Sequence, residues 1–185
     1  MTGRLFAVVG PSGAGKDTLI EAARRARPDL VIVRRVITRP ESAGGEDFMG
    51  VTEPEFEARR ARGEFALHWR AHGLRYGIPQ AQVDLREDGH DVIFNGSRAA
   101  LERAVERMPD LRVIRVCAPS AVLMERLLAR GRETREDIAE RIQRASYDIP
   151  PGLPVMDVRN DGTLEEGVAR FLAALNAPDQ APVSA

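Results

Sequence analysis

An α/β fold built on a parallel sheet is predicted by three features of this 185-residue chain. Short apolar runs at residues 5–9, 30–37, 92–94, 111–117 and 155–158 have the length and β-branched content of strands. Amphipathic helical patterns lie between most of them, an alternation that favours parallel strands with helices on both faces. The first run passes directly into a glycine-rich turn and then a helix, which places a ligand at the carboxyl end of that strand.

That turn reads Gly10, Pro11, Ser12, Gly13, Ala14, Gly15, Lys16, Asp17, Thr18, and the following Leu19-Ile20 opens the helix. The spacing is that of G-x-x-x-x-G-K-[ST], except that Asp17 stands where a hydroxyl normally meets magnesium. Glycines let backbone N–H groups curl around a phosphate, the helix N-terminus adds a favourable dipole, and Lys16 brings a charge to the β/γ oxygens. The expectation is a three-layer P-loop NTPase fold that binds a nucleoside triphosphate. Lys16 is also the only lysine among 27 basic residues, all others being arginine. A compact ammonium and a planar guanidinium are not interchangeable at a crowded phosphate, so the exception has a physical reason.

Residues 30–37 read as the second strand, and residues 92–94, 111–117 and 155–158 complete a five-stranded sheet. The interval 38–91 is too long for one crossover helix. Within it, Thr52 and Glu55 form a capping box for a helix running to about Arg62, and residues 65–69 read as a strand. It is expected to be an inserted acceptor-binding subdomain.

Residues 121–145 are rich in arginine: Arg126, Arg130, Arg132, Arg135, Arg141 and Arg144. Arg126 and Arg130 share a helix face at i, i+4, while Leu123, Leu127 and Leu128 cover the sheet. Gly131 interrupts the pattern and Arg135-Glu136-Asp137 restarts it, a helix–hinge–helix arrangement suited to a lid over phosphates at 126–145. Charge alone equally allows a solvated surface helix laced by Glu125, Glu133, Glu136 and Glu140. The whole is expected to be one domain over residues 1–176, with a disordered tail at 177–185.

A net charge of −1 argues against nucleic acid or a membrane surface as partner, since both demand a basic excess. One cysteine, Cys117, excludes an internal disulfide and reads as core. No apolar run approaches the ~20 residues that span a bilayer, and a cytoplasmic location, where ATP is available, is expected.

Taken together, these motifs resemble the guanylate kinase family of nucleoside monophosphate kinases, and more closely its ribose 1,5-bisphosphate phosphokinase branch. The resemblance rests on residues 10–18, Thr38-Arg39-Pro40, Gly63-Glu64-Phe65 through Trp69, Ala71-His72-Gly73 with Tyr76-Gly77-Ile78-Pro79, Asn95-Gly96-Ser97-Arg98, Arg130-Gly131-Arg132-Glu133 and Asn160-Asp161. It implies ATP as co-substrate with Mg2+, and a phosphorylated sugar as acceptor. The product would be 5-phosphoribosyl 1-diphosphate, made during phosphonate catabolism. It further implies that Arg39 holds the acceptor's phosphate, that Arg126, Arg130 and Arg141 clasp the transferring group and complete a catalytic set with Lys16, and that the segment around Arg159-Asn160-Asp161 lies near the adenine. An acceptor oxygen that is already anionic needs no side-chain base, so positioning and charge neutralisation would carry the catalysis.

Departures from the guanylate kinase pattern bear on the acceptor. His68 and Ser97 stand where that family has the two carboxylates that read guanine, and a buried guanine would leave donors unpaired at roughly 1–3 kcal/mol each. Phe48 lacks the hydroxyl of a phosphate-binding tyrosine, and Arg75 brings a cation. The acceptor-binding set is therefore Arg39, His68, His72, Arg75, Tyr76, Asn95, Ser97 and Arg98, with His72 equally readable as a surface-loop residue. Asp17 is expected on the metal side, its alternative role being a helix-terminal acid. A guanylate or other nucleoside monophosphate kinase, and a guanylate kinase-like binding module without catalysis, are the alternative functions.

Overall fold

The computed structural model describes residues 2–44, 46–131, 134–144, 149 and 153–178. The side chains of Arg141, Gln143 and Arg144 lie outside that description, as do Arg132, Glu133 and the expected tail beyond Pro178.

The described residues form two sheets. β1 (Leu5–Val9) leads through the phosphate loop into α1 (Lys16–Ala26), then β2 (Val31–Ile32), β3 (Arg35–Ile37) and β4 (Phe48–Gly50). α2 (Glu53–Ala61) precedes β5 (Phe65–Ala71) and β6 (Leu74–Pro79), and α3 (Gln80–Val83) leads to β7 (Val92–Asn95). α4 (Leu101–Arg107), β8 (Arg112–Cys117), α5 (Ser120–Ala129), α6 (Arg135–Arg144), β9 (Val155–Arg159) and α7 (Leu164–Asn176) complete it. The first sheet is parallel with order β2-β7-β1-β8-β9, and the second has order β4-β3-β6-β5.

β1 is central because its side chains are apolar on both faces. Phe6 and Val8 pack with Leu19, Ile20 and Ala23 of α1 and Phe171 and Leu175 of α7. Leu5, Ala7 and Val9 face the other way, against Leu101 and Ala104 of α4 and Leu67, Trp69 and Ile78 of the second sheet. A strand buried on both faces reads as a continuous apolar run, as here. α7 is started by a reciprocal capping box between Thr163 and Glu166.

The run expected as one strand at 30–37 is two. β2 pairs with β7, whereas β3 leaves the first sheet and pairs with β4 and β6. The break falls at Val33-Arg34, where the Gln82 side chain accepts from Arg34 N at 2.8 Å and so replaces a ladder partner. The second sheet therefore begins before residue 38. Thr52 caps α2 by accepting from Glu55 N at 3.3 Å.

At the N-terminal edge of the parallel sheet, buried Asp91 accepts from Arg4 Nη2 at 2.6 Å and from Arg27 Nη1 at 3.1 Å. Burial alone would raise its pKa, but the side-chain and backbone hydrogen bonds from Arg4, with Arg27 behind them, hold it down to about 2.

Candidate active site

Val8 pairs with Asn95, so the loop after β1 and the turn after β7 open side by side. They share a cleft of about 920 Å³ with the second sheet and the α5–α6 pair. Gly10, Pro11, Ser12, Lys16 and Asp17 form one wall, and Asn95, Ser97 and Arg98 another. Arg35, Glu46, Trp69, His72 and Tyr76 face them from the second sheet, while Leu127, Asp137, Glu140 and Ile142 close the helical side.

Gly13, Ala14 and Gly15 form the back of the loop, and Thr18 is exposed on α1. Asn160, itself buried, donates to the Ala14 carbonyl at 2.7 Å. Gly15 has φ 92°, and a Cβ there would lie 2.4 Å from Asn160 Nδ2, so conformation and space both demand glycine. Arg126 Nη1 donates to the same carbonyl at 3.4 Å, bracing the loop from α5. Asn160, expected beside the adenine, thus sits behind the phosphate loop.

Lys16 Nζ donates to the carbonyls of Gly10 at 2.9 Å and Pro11 at 3.0 Å, which hold the ammonium over the loop mouth. Burial pushes its pKa down to about 8. Asp17 opposes that fall, and Arg35, Arg98 and Arg130 add to it. The field of three arginines converges on this ammonium, an arrangement suited to clustered negative charge.

Asp17 Oδ1 accepts from Asn95 Nδ2 at 2.6 Å. Asn95, expected to contact the acceptor, instead fixes this carboxylate. Among the described residues there is no cluster of three or more metal-ligating side chains. A single exposed carboxylate beside a phosphate loop fits Mg2+, which is commonly held by one or two carboxylates together with substrate phosphates.

β5 and β6 are joined by a two-residue turn, with His72 at φ 51° and Gly73 at φ 73°. Both residues in the left-handed region is the signature of the hairpin turn that matches strand twist. The turn sets Trp69 opposite Tyr76, whose rings stack with centroids 5.3 Å apart. Arg35 lies over both, 6.0 Å from the Trp69 centroid and 5.2 Å from that of Tyr76. Its Nη1 donates to the Asn95 carbonyl at 2.9 Å, and Nε and Nη2 both donate to the Glu46 carboxylate. Arg35, Glu46 and Trp69 thus join the cleft without any motif of the sequence marking them as site residues.

Three expected acceptor residues lie elsewhere. The pleat that turns Trp69 and Tyr76 to the cleft turns His68 and Arg75 to the opposite face. There Arg75 Nη1 donates to Glu57 of α2. Burial lowers the pKa of His68, and Arg103, Arg60 and Arg107 lower it further against the pull of Glu57. Arg39 rests on the Phe48 ring, 4.4 Å from its centroid, and gives Nη2 to the Gly44 carbonyl at 2.9 Å. His72, Tyr76, Ser97 and Arg98 do face the cleft.

α5 ends at Ala129 and α6 begins at Arg135, with Gly131 at φ 62° and Thr134 accepting from Asp137 N at 3.2 Å. Arg130 is near enough to Lys16 to lower its pKa. Arg126 braces the loop instead of lining the cleft, and the Arg141 side chain lies outside the described residues.

The guanylate kinase family profile matches residues 2–151. A bifunctional ribose 1,5-bisphosphokinase-thymidine phosphorylase of Cupriavidus necator is 49% identical over 94% of this chain, and the match covers 29% of that protein. The chain thus spans less than a third of the length of such bifunctional relatives. The ribose 1,5-bisphosphate phosphokinase PhnN of a Ruegeria species is 48% identical over 95% of this chain and 93% of its own length. Among solved structures, guanylate kinase from Anaplasma phagocytophilum superposes with a TM-score of 0.67 at 23% identity, covering 94% of this chain and 85% of its own.

Proposed function

Since the chain belongs to the guanylate kinase family, we propose that it transfers the γ-phosphoryl group of ATP to the 1-phosphate of ribose 1,5-bisphosphate, the acceptor named in its relatives. An oxygen of the 1-phosphate attacks the γ-phosphorus and the bond to the β–γ bridging oxygen breaks. The products are 5-phosphoribosyl 1-diphosphate and ADP, a step that serves phosphonate breakdown. The observation that carries the reading is the chemistry of the acceptor wall. Glu46, the carboxylate on that wall, is bonded to Arg35, and the remaining polar groups are His72, Tyr76, Ser97 and Arg98. Such a wall suits phosphate and sugar hydroxyls better than the N–H groups of guanine.

Lys16 and the backbone N–H groups of the loop bind the β- and γ-phosphates, and the loop's back wall of Asn160 and Arg126 fixes their geometry. Arg98 and Arg130 neutralise charge as the phosphoryl group passes between oxygens. Asp17, held by Asn95, is the residue that would hold Mg2+, which would supply neutralisation of the phosphate charge. Leu127 and Ile142 exclude water from the helical side of the cleft. Coupled detection of ADP with ribose 1,5-bisphosphate and, separately, with GMP tests this. Turnover of the sugar with little of GMP is expected, and efficient GMP turnover with none of the sugar overturns it.

A further inference from the structure

The acceptor wall contains an aromatic pair on which Arg35 rests. Trp69 and Tyr76 stack in parallel across the β5–β6 hairpin, with planes 5° apart, and the Arg35 guanidinium lies against both rings. A flat base would have to displace the guanidinium to stack on the side of the pair that it occupies. Arg35 is 7% exposed and lines the cleft. Its guanidinium carries five N–H donors, of which Glu46 takes two and the Asn95 carbonyl one. Two are left over by count. Its charge is felt at Lys16, whose pKa it lowers, so it shares the field in which phosphates would sit.

We infer that Arg35 is the acceptor-selecting residue of this cleft. It covers the face a base would use and presents its remaining N–H groups to a phosphate of a non-aromatic acceptor, a small phosphorylated sugar. Glu46 is a positioning residue: its side-on pairing fixes the plane of the guanidinium, and the Asn95 carbonyl fixes its reach. A planar fork held on three sides loses little further freedom on meeting a phosphate, which is the condition for tight and geometrically selective binding. This rests on the proposed phosphoryl transfer to ribose 1,5-bisphosphate and names the residue that chooses the acceptor.

Arg35→Gln alone leaves the half-buried Glu46 carboxylate without its partner and risks the fold. Paired Arg35→Gln with Glu46→Gln removes both charges together, and Arg35→Lys keeps the charge while losing the planar fork. The expected result for the double variant is an unchanged melting temperature and an unchanged KM for ATP, with the KM for ribose 1,5-bisphosphate raised on the order of tenfold to a hundredfold. Arg35→Lys is expected to recover only part of that loss. Trp69 is the chain's only tryptophan, so its emission reads binding directly, without turnover. Ribose 5-phosphate should change it saturably in the wild-type protein and weakly in the double variant. A folded double variant with wild-type KM for the sugar and a wild-type fluorescence titration overturns the role of Arg35. Absence of sugar turnover by the wild-type protein instead overturns the proposed reaction, and the two failures are therefore distinct.

Discussion

Asn95 donates its side-chain amide to Asp17 across 2.6 Å, while its backbone carbonyl accepts from Arg35 at 2.9 Å. One residue at the end of β7 therefore touches both the first turn of α1 and the second sheet. The Asp17 carboxylate is held in place without losing its second oxygen to the same bond.

Asp17→Ser is expected to fold normally and to need more Mg2+ for half-maximal turnover, because a neutral hydroxyl replaces an anionic ligand. Asn95→Ala should raise the Mg2+ requirement in the same direction and by less. Binding of Mn2+ with a non-hydrolysable ATP analogue, followed by electron paramagnetic resonance, checks both apart from turnover. Unchanged titrations in both variants would return Asp17 to the role of a helix-terminal acid.

Lys16 titrates near pH 8 because burial disfavours its ammonium and three arginines add to that against Asp17. A bound triphosphate favours the ammonium, so nucleotide binding above that pH takes up a proton. Calorimetry in buffers of different ionisation enthalpy should show the uptake in the wild-type protein and lose it in Lys16→Met. Lys16→Ala should also lower phosphoryl transfer by several orders of magnitude while leaving the fold intact.

Arg75 is bonded to Glu57 on the far side of the second sheet from the cleft. Arg75→Ala is therefore expected to leave the acceptor KM unchanged and to lower stability by about 1 kcal/mol, the scale of a partly exposed ion pair. Denaturant melts beside steady-state kinetics separate the two effects; a raised acceptor KM at unchanged stability would place the guanidinium in the cleft after all.

Asp91 has its pKa lowered to about 2 by Arg4 and Arg27, against the effect of burial. A depressed carboxylate contributes stability above its unfolded value and loses it as pH falls through its folded value. The contribution, on the order of 2 kcal/mol at neutral pH, should fade between about pH 4 and pH 2. Urea midpoints across that range should fall steeply in the wild-type protein and more gently in Asp91→Asn.

Much of this could be read from the residues in advance. The phosphate loop, the parallel sheet and the helix–hinge–helix segment all follow from local signals: glycine spacing, β-branched runs and a lone glycine between helical patterns. The acceptor wall followed less well, because it depends on which face of a strand a side chain takes. A two-residue turn at His72-Gly73 pairs Trp69 with Tyr76 and puts them on one face. The same period of two puts His68 and Arg75 on the other. Comparing residues position by position with a family overlooks that alternation, and so it favoured His68 and Arg75 over Trp69. Arg35 was hidden differently, inside residues 30–37 read as one strand. The pair Arg34-Arg35 was the available sign that the run changes sheets. Asn160 had no local sign at all, since its partner Ala14 lies 146 residues away.

That distance has a consequence for the making of the protein. The amide of Asn160 fills the gap between Gly15 and Gly167, where an added Cβ would come within 2.4 Å of it from either side. The phosphate loop is translated before its back wall, a side chain made 146 residues later. At roughly 5–20 residues per second, the wait is on the order of 7–30 s. Until Asn160 is made, the nascent loop has its glycines and its lysine and lacks the amide that braces Ala14 from behind.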